Sequence, residues 1–352
     1  MTRVLSALEV PVVQAPMAGG PSTPQLAAAV NRGGGLGFLA AGYLTAGRLV
    51  RDIGSLRGLT DRAFGVNVFT GSGHPASPAE VAAYAARLAA TARRAGAALG
   101  EPRFDDDGFD DKVAALIRER AAVVSFTFGL PPRAVVESLR AGGSEVWLTV
   151  TSAAEATAAA GLGADALIVQ GVEAGGHRGV FTDDDSQSDL TVLAALQLIR
   201  AAVDLPLVAA GAIMTGGALA AVLAAGAAAG QAGTAYLRAA EAGTSPVQRD
   251  ATASDVPTVL TRAFSGRLAR GIANRWHAEL GEYAPRAYPE VHYLTSPLRA
   301  AGRQASNPDL VNLWAGQAHQ LAAGESAEEI TRRLGREARQ AVTAAAARLG
   351  AG

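Results

Sequence analysis

The residues best placed to do chemistry lie in Gly171-Val172-Glu173-Ala174-Gly175-Gly176-His177-Arg178-Gly179. A histidine framed by glycines suits core packing poorly and suits reaching a ligand well. Imidazole takes or gives a proton near neutral pH, so His177 is the first candidate for a catalytic group. His74, His277, His292 and His319 lack that framing. Of these, His292 stands where it could meet a substrate, and the others read as surface or core residues.

Two further stretches could hold an anion. One runs from Gly211 through Thr215-Gly216-Gly217, and the other is Gln231-Ala232-Gly233-Thr234. Glycine lets the backbone approach a phosphate, and free N–H groups at a helix start attract it. Glycines also serve turns and tight packing, but two such loops after neighbouring strands favour phosphate binding. Gln14, Asn67 and Gln170 end three other apolar runs. Their amides offer donors and acceptors of the kind that match the polar edge of an isoalloxazine ring. Amides bonded only to backbone are the plainer alternative.

Composition removes several classes of function. The chain has no cysteine, so thiolate nucleophiles, disulfides and Cys-ligated metal centres are excluded. A formal net charge of −1 gives no global field toward nucleic acid or anionic lipid. No Walker A or H-E-x-x-H sequence occurs. Gly35-Leu36-Gly37-Phe38-Leu39-Ala40 fits G-x-G-x-x-A but leads from a helix into a strand, the reverse of a dinucleotide site. Asp105-Asp106-Asp107 and Asp183-Asp184-Asp185 read as solvated loops rather than metal sites, and no metal is expected. Met1 to Val10 holds one Arg and no apolar run, so no signal peptide is expected and a cytoplasmic location is. No membrane span is expected either. The apolar stretch Val203 to Leu237 is broken by Pro206 and six glycines, as alternating strand and helix would be. A homodimer is compatible with the sequence.

The elements that must position these residues follow a repeat of apolar run, glycine loop and Ala-rich helix. Candidate strands are Val10–Met17, Gly35–Ala41, Ala63–Phe69, Ala122–Phe128, Glu145–Thr151, Ala166–Gln170, Pro206–Ala210 and Ala228–Gly233. Their continuous apolar character implies a parallel sheet buried on both faces. Eight is the number that closes a (β/α)8 TIM barrel; an open doubly wound sheet is the alternative. Hydrophobic residues at 49% suffice for such a core. The rhythm stops after strand eight. Residues 1–239 therefore read as the barrel, and 240–303 as a mainly helical cap inserted after strand eight. Residues 304–352 return to the barrel and end in a helix over Ser326–Leu349. Ser77–Leu99 reads as an inter-strand helix and Glu101–Lys112 as a loop.

Taken together these residues resemble the nitronate monooxygenase family over most of the chain. The resemblance rests on Gln14-Ala15-Pro16-Met17, Gly65-Val66-Asn67, Ser125-Phe126-Thr127-Phe128-Gly129-Leu130-Pro131, Glu173-Ala174-Gly175-Gly176-His177, Ala209-Ala210-Gly211-Ala212-Ile213, Gln231-Ala232-Gly233-Thr234 and Asn312-Leu313-Trp314-Ala315-Gly316-Gln317. The F-x-F-G-x-P and W-A-G-Q pieces look like the class that prefers propionate 3-nitronate.

The resemblance implies non-covalent FMN, and oxidation of alkyl nitronates by O2 to a carbonyl compound plus nitrite or related nitrogen oxides. It implies Gln14, Ala15, Met17, Asn67 and Gln170 along the flavin ring. Gly176, Gly211, Gly216, Gly217, Gln231, Gly233 and Thr234 would line the ribityl phosphate, with His177 facing substrate. Tyr288, His292 and Tyr293 are candidates for substrate contact. One departure concerns the carboxylate of such a substrate. Lys112 is the only lysine, so Arg286 or Arg299 would have to replace a lysine of the cap. The competing readings are an NAD(P)H-dependent FMN enoyl-acyl-carrier-protein reductase on the same barrel, and a flavin-binding protein without turnover.

Overall fold

The computed structural model describes residues 1–71, 76–184 and 189–350. His74 and Asp185 lie outside the described residues. In chain order the elements are α1 (Arg3–Ser6), β1 (Val12–Gln14), α2 (Pro24–Arg32), β2 (Phe38–Ala40), α3 (Ala46–Arg57), β3 (Gly65–Phe69), α4 (Pro78–Arg94) and α5 (Phe109–Glu119). There follow β4 (Val123–Thr127), α6 (Arg133–Ala141), β5 (Glu145–Val150), α7 (Ala153–Leu162), β6 (Ala166–Gln170), β7 (Gly176–His177), α8 (Val192–Ala202), β8 (Leu207–Ala210), α9 (Gly216–Ala224) and β9 (Ala229–Ala232). The last are α10 (Pro246–Thr252), β10 (Thr258–Thr261), β11 (Ala269–Ile272), α11 (Arg275–Leu280), α12 (Glu290–Gln304) and α13 (Ala327–Arg348).

Eight strands pair in parallel in the order β1-β9-β8-β6-β5-β4-β3-β2, and a parallel bridge between Val13 and Leu36 joins the two ends. The result is a (β/α)8 barrel. The strands are apolar on both faces because one face packs on helices and the other fills the barrel. Val13, Phe38, Val123, Trp147, Ile168 and Val208 form the inner cluster, as a filled barrel requires. Helix α1 plugs its lower mouth with Val4 and Leu5, and the Glu145 carboxylate accepts from both the Val4 amide and the Trp147 indole. Thr23, Thr45, Ser152, Thr191 and Thr215 each stand at the N-cap of a barrel helix and accept a first-turn amide. Each such cap contributes about 1 kcal/mol.

The eighth barrel helix is α13, reached only after the long excursion that follows β9. It packs along α9 and α2. The apolar stretch from Val203 resolves into β8, α9 and β9. Among the described residues no helix is long and apolar enough to cross a membrane.

The excursion is mainly helical and lies over the C-terminal ends of the strands. It also carries a hairpin that the sequence reading did not anticipate. β10 and β11 are antiparallel, and β11 pairs with β7, setting Ala269 opposite His177. A second contribution comes from the β3–β4 connection. Helix α4 joins the cap core: Val81, Tyr84 and Leu88 pack with Phe264, Trp276, Val291, Leu294 and Leu298. Gly100 crosses α12 so closely that any side chain there would meet the Tyr293 carbonyl.

The stretch read as a loop over Glu101–Lys112 ends inside helix α5, which stands between β3 and β4. Its acidic run is not simply solvated. Asp107 forms a 2.7 Å ion pair with Lys112, whose side chain is only 1% exposed, and accepts the Tyr43 amide at 2.9 Å. The local polarity of three consecutive aspartates hid a buried partner, Lys112, one helical turn further along the chain.

Candidate active site

At the C-terminal mouth of the barrel, beneath the cap, lies a cavity of about 610 Å3. That is within the range of small-molecule and cofactor sites. Of the residues expected at a site, Ala15, Met17, Asn67, Gln170, Gly176, His177, Gly211, Gln231, Gly233, Thr234 and His292 are on its wall. They come from five barrel strands or the turns that follow them, β7 and α12.

Five expected residues stand elsewhere. Gln14 is fully buried, and its amide bonds Ala15, Ser22 and the Phe38 amide, so it braces the β1 turn from behind. Gly216 donates its amide to Glu337 of α13 at 3.0 Å, and that helix packs where a side chain would go. Gly217 follows it and does not line the cavity. Local glycine content could not reveal that the C-terminal helix covers this turn. Tyr288 and Tyr293 stand behind the wall: Tyr288 bonds Tyr43 by its hydroxyl at 3.1 Å, and Tyr293 carries Arg103 on its ring face. Arg286 is exposed and off the wall. His319 is buried, with its ring nitrogens 3.0 and 2.9 Å from the Thr252 and Val256 carbonyls.

His177 is held by three constraints. Its backbone is paired to β11. Its carbonyl accepts from Gln170 Nε2 at 3.0 Å. Its Nε2 lies 2.8 Å from Ser265 Oγ. The Gln170 carbonyl oxygen accepts from Arg178 and the Gly179 amide, so this glutamine chiefly pins the loop. Phe128, Tyr288 and Trp314 surround the imidazole at centroid distances of 5.5–5.8 Å. The surface it retains faces the cavity. Burial, reinforced by the Arg267 and Arg299 charges, pushes its pKa down to about 3. The ring is therefore neutral in ordinary buffers.

His292 lies flat on Tyr43, with centroids 4.2 Å apart and 7° between the planes. Burial, then Arg299, lowers its pKa to about 2. Tyr43 itself is raised to about 12 by burial, so its phenol stays protonated. These depressed histidines make a prediction. The unfolded chain takes up protons near pH 6.5 while the folded protein holds both rings neutral. Their stabilisation is complete above pH 6.5 and is lost as pH falls toward 3. Thermal melts should drop between pH 7 and 5, and a double His177→Gln, His292→Phe variant should show a flatter dependence over that interval. An equally steep decline in the variant would assign acid lability to other groups.

Several wall groups lack a protein partner. Gln231 Nε2 is buried without a hydrogen bond, a cost of about 1–3 kcal/mol unless a ligand accepts from it. Asn67 gives its Nδ2 to the Ser125 carbonyl and hydroxyl and to Thr127. The carbonyl contact fixes the amide orientation and leaves Oδ1 uncommitted. The amides of Ala212, Ile213 and Met214 take no acceptor among the described residues. They follow Gly211, whose φ of +140° only glycine adopts readily. The free-amide cradle thus lies just before α9, one step earlier than Gly216-Gly217.

Residues that sequence reading missed also face this space: Tyr43, Thr149, Gln248, Ser265 and Arg303. Trp314 and Asn312, noted only as part of a motif, join them because Gly316 donates to Thr234 at 2.9 Å and lies directly against Gly175. Among the described residues the wall carries no aspartate or glutamate, and its charged members are Arg299 and Arg303.

A ligand cavity at the C-terminal mouth of a closed parallel barrel defines a (β/α)8-barrel enzyme. Comparison with known proteins narrows the class. The profile of the Nitronate monooxygenase family matches residues 2–337. A probable nitronate monooxygenase of Staphylococcus aureus strain Newman is 36% identical over 340 residues, 94% of each chain. Nitroalkane oxidase from Streptomyces ansochromogenes superposes with a TM-score of 0.94 at 47% identity, covering 98% of this chain and all of that one (100%). FabK from Thermotoga maritima superposes with a TM-score of 0.77 at 26% identity, covering 99% of each chain. The chain belongs to the nitronate monooxygenase family, and it is an enzyme, a flavin-dependent oxidoreductase.

Proposed function

We propose that the cavity holds FMN and oxidises alkyl nitronates, propionate 3-nitronate among them, with O2 as oxidant. The products are a carbonyl compound and nitrite or related nitrogen oxides. The observation carrying this reading is an acid-free cavity in which unpartnered donors and acceptors face a neutral His177. Ala15, Met17, Asn67 and Gln170 would hold the ring. The amides of residues 212–214, with Gly176, Gln231, Gly233 and Thr234, would hold the ribityl phosphate. When bound, the flavin supplies a route for electrons from the nitronate to O2.

The protein's own part is binding, orientation and exclusion of water. A nitronate is already an anion, so no proton need leave its carbon. What it needs is donors for its oxygens and a positive surrounding field. Arg299 and Arg303 supply the field. His177 supplies a neutral, rigid hydrogen-bonding group. An imidazole with a pKa near 3 is a poor base for the α-proton of a neutral nitroalkane, which favours nitronates over their conjugate acids. Ser265 orients the ring, and the cap closes the site from above.

The test is the visible spectrum of the purified protein, followed anaerobically as propionate 3-nitronate is added. Flavin bands that bleach support the reading. A colourless protein that refuses added FMN overturns it. Rapid anaerobic bleaching by NAD(P)H would instead favour the reductase reading.

A further inference from the structure

The bend between β10 and β11 carries a second polar group besides Ser265. Arg267 is 2% exposed and does not line the cavity. Its guanidinium donates to the Arg178 carbonyl at 3.2 Å and to the Val180 carbonyl. Among the described residues it has no ion pair with a carboxylate. Asp183, the acid that acts on it most strongly, is itself paired with Arg262 at 2.9 Å. Burial lowers the Arg267 pKa, yet a guanidinium keeps its proton inside a protein. A buried cation held only by neutral carbonyls is costly unless an anion comes near.

That cation lies on Phe128. Its guanidinium carbon is 4.0 Å from the ring centroid, within cation–π reach. Phe128 lines the cavity and holds a φ of +80°, which a bulky residue adopts only under constraint. Phe69 packs against the same ring at 4.6 Å, and the His177 ring stands at 89° to it, 5.8 Å away. Arginine, phenylalanine and histidine are thus in serial contact, and the series ends at the cavity. The charge is felt along it. Burial is the largest cause of the lowered His177 pKa, and the Arg267 charge is the next.

We propose that Arg267 is a positioning residue that acts through Phe128. It locks that ring in its strained turn beside His177. It also gives the His177 end of the cavity a fixed positive charge, separate from Arg299 and Arg303 of the cap. That end therefore takes a small planar oxyanion, here the ionised nitro group, in preference to the same group uncharged. The assignment rests on the reading of the cavity as a nitronate site, but its test needs no turnover.

The test is calorimetric binding of two probes to the protein supplied with FMN. Nitrate is a planar oxyanion that cannot be oxidised further, and 1-nitropropane is uncharged. In the wild type nitrate should bind more tightly; equal or weaker binding overturns the proposal without any variant. Arg267→Gln keeps a flat group that can lie on the ring and donate to a carbonyl, but removes the charge. A unit charge about 8 Å away, at an effective dielectric of about 20, changes anion affinity by roughly 30-fold. Arg267→Gln should therefore weaken nitrate by roughly tenfold or more and leave 1-nitropropane unchanged. Arg267→Lys, which restores the charge without the flat group, should regain most of the nitrate affinity.

Equal loss of both probes in Arg267→Gln would mean a structural role only and overturns the proposal, as would nitrate binding that the substitution leaves unchanged. The kcat/KM for propyl-1-nitronate should fall in step with nitrate affinity. If nitrate follows the expected pattern while no nitronate is oxidised, the role of Arg267 stands and the nitronate reading alone fails.

Discussion

Exchange of His177 for alanine is expected to lower kcat/KM for a nitronate by roughly 10²–10³-fold, the usual loss when one preorganised donor to a developing or bound oxyanion is removed. Flavin content, read from the visible absorbance, should remain. The reason is geometric: the imidazole is held by Ser265, the β11 pairing and three aromatic rings, whereas the unpartnered groups proposed to hold the flavin lie on other strands. The same structure fixes the pH behaviour. With a pKa of about 3, His177 does not titrate between pH 5 and 8. kcat/KM for a pre-ionised nitronate should show no histidine inflection in that interval. A descending acid limb with a midpoint near 6.5, absent in His177→Gln, would mean that this group changes charge in turnover and that its assigned role is wrong.

The second large effect concerns Gln231, and it has opposite signs in two assays. In the flavin-free protein its Nε2 is a buried donor with nothing to accept from it. Gln231→Leu removes that group while keeping the apolar stem that packs in β9. The flavin-free variant should therefore be more stable than the wild type by about 1–3 kcal/mol, read as a higher melting temperature. Flavin should bind more weakly, by roughly 10–100-fold in Kd, since a hydrogen bond made only in the complex is gone. A residue that merely packed would lose stability and affinity together. A variant that melts lower, or that holds flavin as tightly as before, would remove Gln231 from the cofactor site.

Both predictions concern residues visible in the chain before any fold was known, while other groups of equal weight were not. His177 stood out because glycines on both sides gave it no core to join. Gln231 and Gly211 stood out because they end apolar runs. Tyr43 and Ser265 carry no such signature. Tyr43 sits in a strand-to-helix turn at a φ of 65°, which its residue type does not announce, and Ser265 occupies the tight bend between β10 and β11. The bend matters only because β11 lies beside β7. Arg299 was named as a possible charge but could not be distinguished from exposed Arg286. The distinction is burial on one helix face, which depends on how α12 sits on the cap core.

The amino-acid sequence by itself determined eight parallel strands buried on both faces, with a closed barrel or an open doubly wound sheet as their arrangements, and the structure closes the barrel through the Val13–Leu36 bridge. It also determined which strand ends carry amides, glycines and the one well-framed histidine. These are local properties, set by residue type and by spacing within a few positions. Only the tertiary structure decided which of those groups remain free to bind. Glu337, 121 residues from Gly216, occupies its amide. Helix α4 leaves the barrel to build the cap, and a hairpin some 90 residues downstream straightens the His177 loop into a strand. Hydrogen-bond capacity is finite, and whether a distant segment has already consumed it is decided by packing in three dimensions.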